Sequence, residues 1–445
     1  MYTSLDNMKN QLAGILEGAG TGSVTIIDEN SLRQQAIDEL VYTAVFSPSD
    51  EVKNAARLTI RSAAAALGIK PASIQGLYEA MGRSEVTGFT VPAMNIRGLT
   101  FDAARATFQA AHNLKVGPFV LEIAKSEIEY TYQRPDEYAI AILAAAIKEG
   151  HRGPVFIQGD HVQANAKKYA ANPAKEIDAL KKIILEEIEA GFYNIDIDTS
   201  TLVDLTKSTL DEQQRANFEN AAVLTQYIRD NQPEGVVVSV GGEIGEVGGK
   251  NSTPEDLHAF MKGYNAAING GKGISKISVQ TGTSHGGVVL PDGSIAKVKL
   301  DFDTLKTLSE IARATYEMSG AVQHGASTLP SEMFDRFPQV GASEIHLATE
   351  FQNMMYTLIP EELRDDIDAW LHANLANEAK PGETTQQFIY KTRKKGFGPF
   401  KQQFWDLPES ERGKIREELR KKFEFLFTKL NVVDTVEHVQ KHVTL

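Results

Sequence analysis

The chain has 445 residues, 42% of them hydrophobic and 24% charged, with no cysteine. This ordinary globular composition excludes disulfides, thiolate nucleophiles and cysteine-bound zinc or iron–sulfur centres, so any metal must be held by His, Asp and Glu. A formal net charge of −13 has the wrong sign for a nucleic-acid binder. No apolar run approaches the ~20 residues that span a bilayer. Residues 1–18 lack a charged head followed by an apolar stretch, so no signal peptide is expected and the expected location is cytoplasmic.

Residues 1–84 read as a helical extension: Ser31 caps an amphipathic run to Leu40, and the stretch 56–67 is rich in helix formers. Its expected role is a helical cap or a dimer contact. From Gly88 short β-branched runs alternate with amphipathic ones. Strands are predicted at 89–94, 119–123, 155–158, 194–197, 236–240, 276–280, 321–323 and 344–347. Helices are predicted at 136–148, 174–190, 211–230, 253–269 and 303–318. Eight βα units over roughly 270 residues match a (β/α)8 TIM barrel. A doubly wound sheet is the competitor, but no Gly-x-Gly-x-x-Gly follows any strand. The expected architecture is an α/β barrel over 85–360, flanked by the N-terminal helical extension and a C-terminal one over 361–445. That tail carries two basic clusters, Lys391-Thr-Arg-Lys-Lys395 and Arg420-Lys-Lys422. They read either as solvated helix faces or as phosphate or subunit contacts.

In such a barrel the working residues stand at the C-terminal ends of the strands. Those ends carry Gln158-Gly-Asp-His161, Asp196-Ile-Asp198, Gly241-Gly-Glu243, His285-Gly-Gly287, His324-Gly-Ala-Ser327 and His346-Leu-Ala-Thr349. Four of the ten histidines fall on this rim. Histidines on separate strand ends, with carboxylates beside them, suit a divalent transition ion such as Zn2+ with one coordination position open to substrate. The glycines after His285 and His324, with the Ser327 hydroxyl, suit an anion, the alternative being that they make tight turns. A Schiff-base chemistry would need a desolvated lysine at the rim. Lys276 starts its strand at the wrong end, which leaves only Lys125.

Several spaced motifs, in this order, resemble the class II, metal-dependent fructose-bisphosphate aldolase family, including its tagatose-bisphosphate branch. They are Asp160-His161, Gly191-Phe-Tyr-Asn-Ile-Asp-Ile-Asp-Thr-Ser200, Gly242-Glu-Ile-Gly-Glu-Val-Gly-Gly249, Gly282-Thr-Ser-His-Gly286, His324-Gly-Ala-Ser327 and Ala348-Thr-Glu350, within residues 88–352. The resemblance implies that His161, His285 and His324 bind the catalytic metal, with Asp198 and Glu243 at an alternative or second metal position. It implies Zn2+ first, with Co2+, Mn2+ or Fe2+ as alternatives and a monovalent cation as a further candidate. Asp160 becomes the acid/base. Gly286, Gly325, Ser327 and Thr349 become the phosphate cradle, and Asn95 and Ser126 line the pocket. The implied reaction is reversible aldol cleavage of a phosphorylated ketose, fructose 1,6-bisphosphate by default, to dihydroxyacetone phosphate and an aldehyde. A homodimer or homotetramer acting on a small sugar phosphate, with no nucleic-acid or membrane partner, is the implied assembly.

The chain also departs from the family. The loop Glu that exchanges a proton with the enediolate carbon is replaced by Asn251, with Glu255 as a nearby substitute or simply a helix-start residue. Strand eight reads Glu344-Ile-His346 where the family has Lys-x-Asn. These departures admit a ketose C4-epimerase that works by retro-aldol cleavage and re-addition, or a tagatose-bisphosphate aldolase. A metal-binding scaffold is the non-enzymatic alternative.

Overall fold

The computed structural model describes residues 1–245, 249–282, 290, 300–327 and 329–445. Eight strands form the barrel: β1 (Val91–Asn95), β2 (Val120–Ala124), β3 (Gly153–Gln163), β4 (Asn194–Asp198), β5 (Ser239–Glu243), β6 (Lys276–Val279), β7 (Ala321–Gln323) and β8 (Glu344–Leu347). Each pairs in parallel with the next, and β8 pairs with β1 to close the cylinder. The fold is therefore the expected (β/α)8 barrel with added helices at both ends. Closure leaves no free edge, and the concave face lies at the C-terminal ends of the strands.

Two strands differ from expectation for identifiable reasons. β5 starts three residues later than predicted, because Gly241 and Gly242 belong to the strand rather than to the loop after it. A Cβ at Gly241 would lie 2.3 Å from Asp196 Oδ1, so a glycine is needed where β5 passes the packed barrel interior. β3 is much longer than predicted and carries a one-residue bulge between Gly159 and Val162.

The N-terminal extension is mostly helical but not wholly so. Leu16–Glu17 and Thr25–Ile26 form a short antiparallel ribbon, and Ile69–Pro71 adds a parallel strand beside the start of β3. The cap of its second helix is Asp28, whose carboxylate accepts from the Ser31 amide at 3.0 Å, so Ser31 lies inside the helix rather than before it. The helix Gln75–Gly82 closes the floor of the barrel: Tyr78, fully buried, donates its hydroxyl to the Glu344 carboxylate. At the other end, the helix Glu409–Lys429 is tied to the helix Thr100–Leu114 through buried Asp102, which accepts from Arg412 at 3.1 Å and Arg416 at 2.5 Å. No helix among the described residues is long and apolar enough to cross a membrane.

The interior of the barrel is not an oil drop. Glu122, Gln158, Lys276 and Glu344 are all at most 1% exposed, and Asp196 is 5% exposed. Lys276 Nζ lies 2.9 Å from Asp196 Oδ2, donates to Gln158 Oε1 at 2.9 Å, and is paired with Glu344. Burial opposes both charges, yet the attraction between them holds the lysine above its ordinary value and Glu344 below. Replacing Lys276 by Met leaves two buried carboxylates without their cation, an effect of about 3–5 kcal/mol. A urea midpoint unchanged in Lys276→Met would refute this account of the floor.

Behind β3, Glu187 packs its carboxyl against Gly159 with no exposure and, among the described residues, no hydrogen bond to either oxygen. Burial, reinforced by Glu186, pushes its pKa from 4.5 up to about 8. Between these values the folded chain keeps a proton that the unfolded chain has lost, so this group lowers stability by up to about 1.4 kcal/mol for each pH unit gained. The dependence levels off above the folded value. Glu187→Gln should flatten it over that window, as read from urea unfolding at a series of pH values.

Candidate active site

The bulge in β3 decides what the site can be. Successive residues of a strand normally point to opposite faces, yet Asp160 and His161 both line one cavity at the barrel mouth. The extra residue resets the alternation, and His161 sits at φ +43°, a left-handed conformation that costs a non-glycine residue energy and is tolerated where function requires it. The cavity has a volume of about 410 Å3.

The His161 ring lies between two donor groups. On one side, ligand atoms of Asp160, His161 and His324 all come within 4.8 Å of one another. The His161 and His324 ring centroids are 4.2 Å apart, and His324 Nε2 lies 3.0 Å from the Ser278 hydroxyl, which fixes its orientation. On the other side, His161 Nδ1 is 3.2 Å from Asp198 Oδ2 and 3.3 Å from Glu243 Oε2. Asp198 is secured by Ser200 and by Gln163, whose amide donates at 2.5 Å. Glu243 is pushed up to about 7 by burial and by the neighbouring Asp198 charge. Two carboxylates that repel each other beside one imidazole nitrogen, both within reach of a common point, fit a divalent cation. Both groups use nitrogen and oxygen donors, as a chain without cysteine must. His285 and Gly286 lie outside the described residues.

His346 enters this cavity from the end of β8. Its Nδ1 is 3.2 Å from Asp160 Oδ1 and 3.1 Å from Glu122 Oε2, and its Nε2 bonds Glu344 Oε1 at 2.6 Å. His346 therefore links the mouth to the Lys276 network below. Burial works against its charge, but Glu122 and Asp160 hold it well above the ordinary histidine value. Glu122 in turn is pushed up to about 7 by burial and by Asp160. Against its own burial, Asp160 is held well below the carboxylate range by His161 and His346.

The remaining sequence-predicted residues divide clearly. Asn95, Ser126, Gly325, Ser327 and Thr349 all line the cavity. The Ser327 hydroxyl accepts from the Ala348 amide at 2.6 Å, which leaves its hydrogen available to a ligand. Thr349 begins the helix Thr349–Leu358 and, with Ala348 before it, lines the cavity, so the helix starts at the cavity wall. Asn251 and Glu255 do not line the cavity. Asn251 donates to Asp301 at 3.1 Å, and Glu255 occupies the first turn of the helix Pro254–Ala267, capped by Thr253 with Asp256. Lys125 is at the rim, donating to the Gln163 carbonyl oxygen at 2.5 Å, whereas Lys276 is buried beneath.

Sequence reasoning missed Glu122, Arg97 and Lys394, which also line the cavity. Glu122 had a signal, a lone charge inside the apolar run of β2 at an inward-facing position. Arg97 is held by Glu127 at 2.7 Å and by Gln352 at 2.9 Å. Lys394 comes from the far end of the chain and had only its basic neighbours to mark it.

Comparison with known proteins bears on the family and the fold. The chain is 22% identical over 273 residues to the fructose-bisphosphate aldolase of Thermus caldophilus, an alignment covering 60% of this chain and 75% of that one. Its fold is similar to that of fructuronate-tagaturonate epimerase UxaE from Cohnella laeviribosi (TM-score 0.59, 12% identity, 88% of this chain and 90% of that one). It is also similar to a probable tagatose 6 phosphate kinase from Sinorhizobium meliloti (TM-score 0.56, 15% identity, 78% of this chain and 100% of that one). The model of the class-II fructose-bisphosphate aldolases matches residues 76–399, the whole barrel with the end of the N-terminal extension and the start of the C-terminal one, and the chain belongs to that family.

Proposed function

We propose that this protein is a metal-dependent lyase that cleaves and re-forms a carbon–carbon bond in a phosphorylated ketose, with fructose 1,6-bisphosphate the first substrate to try. The observation that carries the reading is the meeting of Asp160, His161 and His324, from two distant strand ends, around one point of the cavity. His161 and His324 would hold the ion, with His285 as a further candidate and Asp198 and Glu243 as an alternative position. Bound there, a divalent ion would supply Lewis-acid polarisation of the ketose carbonyl.

The protein's own groups do the rest. Asp160, ionised beside two histidines, accepts the proton of the hydroxyl at C4 as the C3–C4 bond breaks and returns it to the aldehyde oxygen in the reverse direction. His346, 3.2 Å from Asp160 and anchored by Glu344, fixes the direction in which that carboxylate faces. Ser327 and Thr349, with the amides at the start of the last barrel helix, offer donors to a substrate phosphate. We infer a soluble enzyme working in the cytoplasm as a homodimer or homotetramer, with Zn2+ the first metal to test.

A second reading uses the same site, and Asn251 favours it. Asn251 stands where the loop Glu would be, bonds to Asp301, and cannot carry a proton to carbon. Epimerisation at C4 needs no such transfer, because the two fragments rejoin on the opposite aldehyde face.

Three measurements test these readings. His161→Ala removes a donor common to both groups, so elemental analysis of the purified variant should give at least about a tenfold loss of metal affinity. Asp160→Asn should keep the metal and lower turnover by about 10² to 10⁴. Release of triose phosphate from fructose 1,6-bisphosphate supports the lyase. Interconversion of C4-epimeric ketoses without free triose supports the epimerase, and metal-loaded protein doing neither defeats both.

A further inference from the structure

The helix Pro173–Ala190 packs behind β3, and its buried residues include Ile177, Leu180, Ile184, Glu187 and Ile188. Their spacing is that of one core-facing stripe, in which apolar residues are expected throughout. Glu187 is the exception. Among the described residues neither of its carboxyl oxygens has a hydrogen-bond partner, and Arg134, a cation on this side of the barrel, is paired with Glu186 nearer the surface.

What Glu187 meets is a gap in the strand. A Cβ at Gly159 would lie 2.5 Å from Glu187 Oε2 and 2.7 Å from its Oε1 and Cδ. Non-bonded heavy atoms settle at roughly 3.5–4.0 Å, so strand and helix cannot both carry a side chain into this space. The glycine yields it and the glutamate fills it.

The gap lies at a decisive place. Gly159 is the last residue of β3 in regular register before the bulge, held from the sides by its pairing with Ile123 and Ile195. Beyond the bulge the Asn165 amide donates to Glu176 Oε1 at 2.8 Å, and Glu176 stands on the same helix about three turns before Glu187. Two buried carboxyl groups of one helix therefore bracket the bulge, one on each side. Between them lies His161 in its left-handed conformation, a strain that persists only where the surroundings over-determine the backbone.

We propose that Glu187 is a positioning residue for the active site: by filling the space that Gly159 leaves open, its side chain holds the bulge where both Asp160 and His161 face the cavity. It touches neither substrate nor ion and acts through the backbone of β3. The metal readout of the test rests on the metal-dependent reading above, and the placement of the bulge does not.

The test compares full-length wild type, Glu187→Gln, Glu187→Ala, Gly159→Ala and the double variant carrying Gly159→Ala and Glu187→Ala. Each is titrated with Co2+, whose visible absorption reports the geometry of its ligands. Leu180→Ala, which opens a cavity in the same stripe about two turns away, is the control for general loosening. Glu187→Ala and Gly159→Ala should each bind Co2+ at least about tenfold more weakly with an altered spectrum, whereas Glu187→Gln should stay within about twofold of wild type. The double variant should bind more tightly than Gly159→Ala alone, because the added methyl then has room. Leu180→Ala should lower the thermal midpoint and leave affinity and spectrum unchanged. Unchanged Co2+ binding in Glu187→Ala, an equal loss in Leu180→Ala, or a double variant no tighter than Gly159→Ala overturns the proposal. Circular dichroism matching wild type establishes folding, and Glu187→Val takes the place of a Glu187→Ala protein that does not fold. If wild type binds no Co2+ the metal reading fails, and crystal structures of the metal-free proteins decide. A bulge displaced or lost in Glu187→Ala sustains the positioning role, and one that keeps both side chains in the cavity removes it.

Discussion

Removing an ammonium and a pair of carboxylates from water costs several kcal/mol per ion, and a barrel axis is among the least hydrated places in a protein. Lys276, Asp196 and Glu344 accept that cost together, with Gln158 bonding to Lys276 and Glu344 and the Tyr78 hydroxyl donating to Glu344. Everything above depends on this layer. Glu344 holds His346, His346 faces Asp160, and Asp160 stands beside His161 and His324. The floor therefore does more than fill volume, because it sets the charge and direction of the groups that meet a substrate. An apolar floor of the same shape could close the barrel but would give His346 nothing to lean on.

The site is built by breaking a regular pattern. A strand without a bulge would send Asp160 and His161 to opposite faces, one to the cavity and one to the helical layer. The extra residue in β3 and the left-handed backbone of His161 put both into the cavity. The His161 imidazole then lies between Asp198 and Glu243 on one side and His324 on the other, so one residue serves two possible donor groups. Such sharing lets an ion occupy either position without rebuilding the cavity walls.

The two extensions brace the barrel differently, although the last residues of the C-terminal one also pack at the floor, where the Thr90 amide donates to the Leu430 carbonyl oxygen at 3.0 Å. The N-terminal one plugs the floor through Tyr78 and adds a strand beside β3. The C-terminal one is bolted to the first barrel helix through Asp102 and its two arginines, and from there it reaches the mouth. Its turn near Lys394 forms part of the cavity wall rather than covering it from outside. A barrel cut away from either extension would lose contacts at its floor or its mouth, where the polar groups are concentrated.

The amino-acid sequence by itself determined the eight alternating units, the histidine-bearing strand ends and the Asp160-His161 pair, because hydrophobic periodicity and residue type are local properties. It also carried the order of motifs that marks the family. The bulge was not readable, since an extra residue in a strand looks like any other until its neighbour's register is known. Gly241 and Gly242 read as loop for the same reason: what forbids a side chain at Gly241 is Asp196, forty-five residues away in sequence. The charged floor escaped notice because Glu122, Lys276 and Glu344 lie on three different strands, and only closure of the cylinder turns three isolated charges into one network. Lys394 was visible as part of a basic cluster, but packing alone decided which of five neighbouring residues faces the cavity.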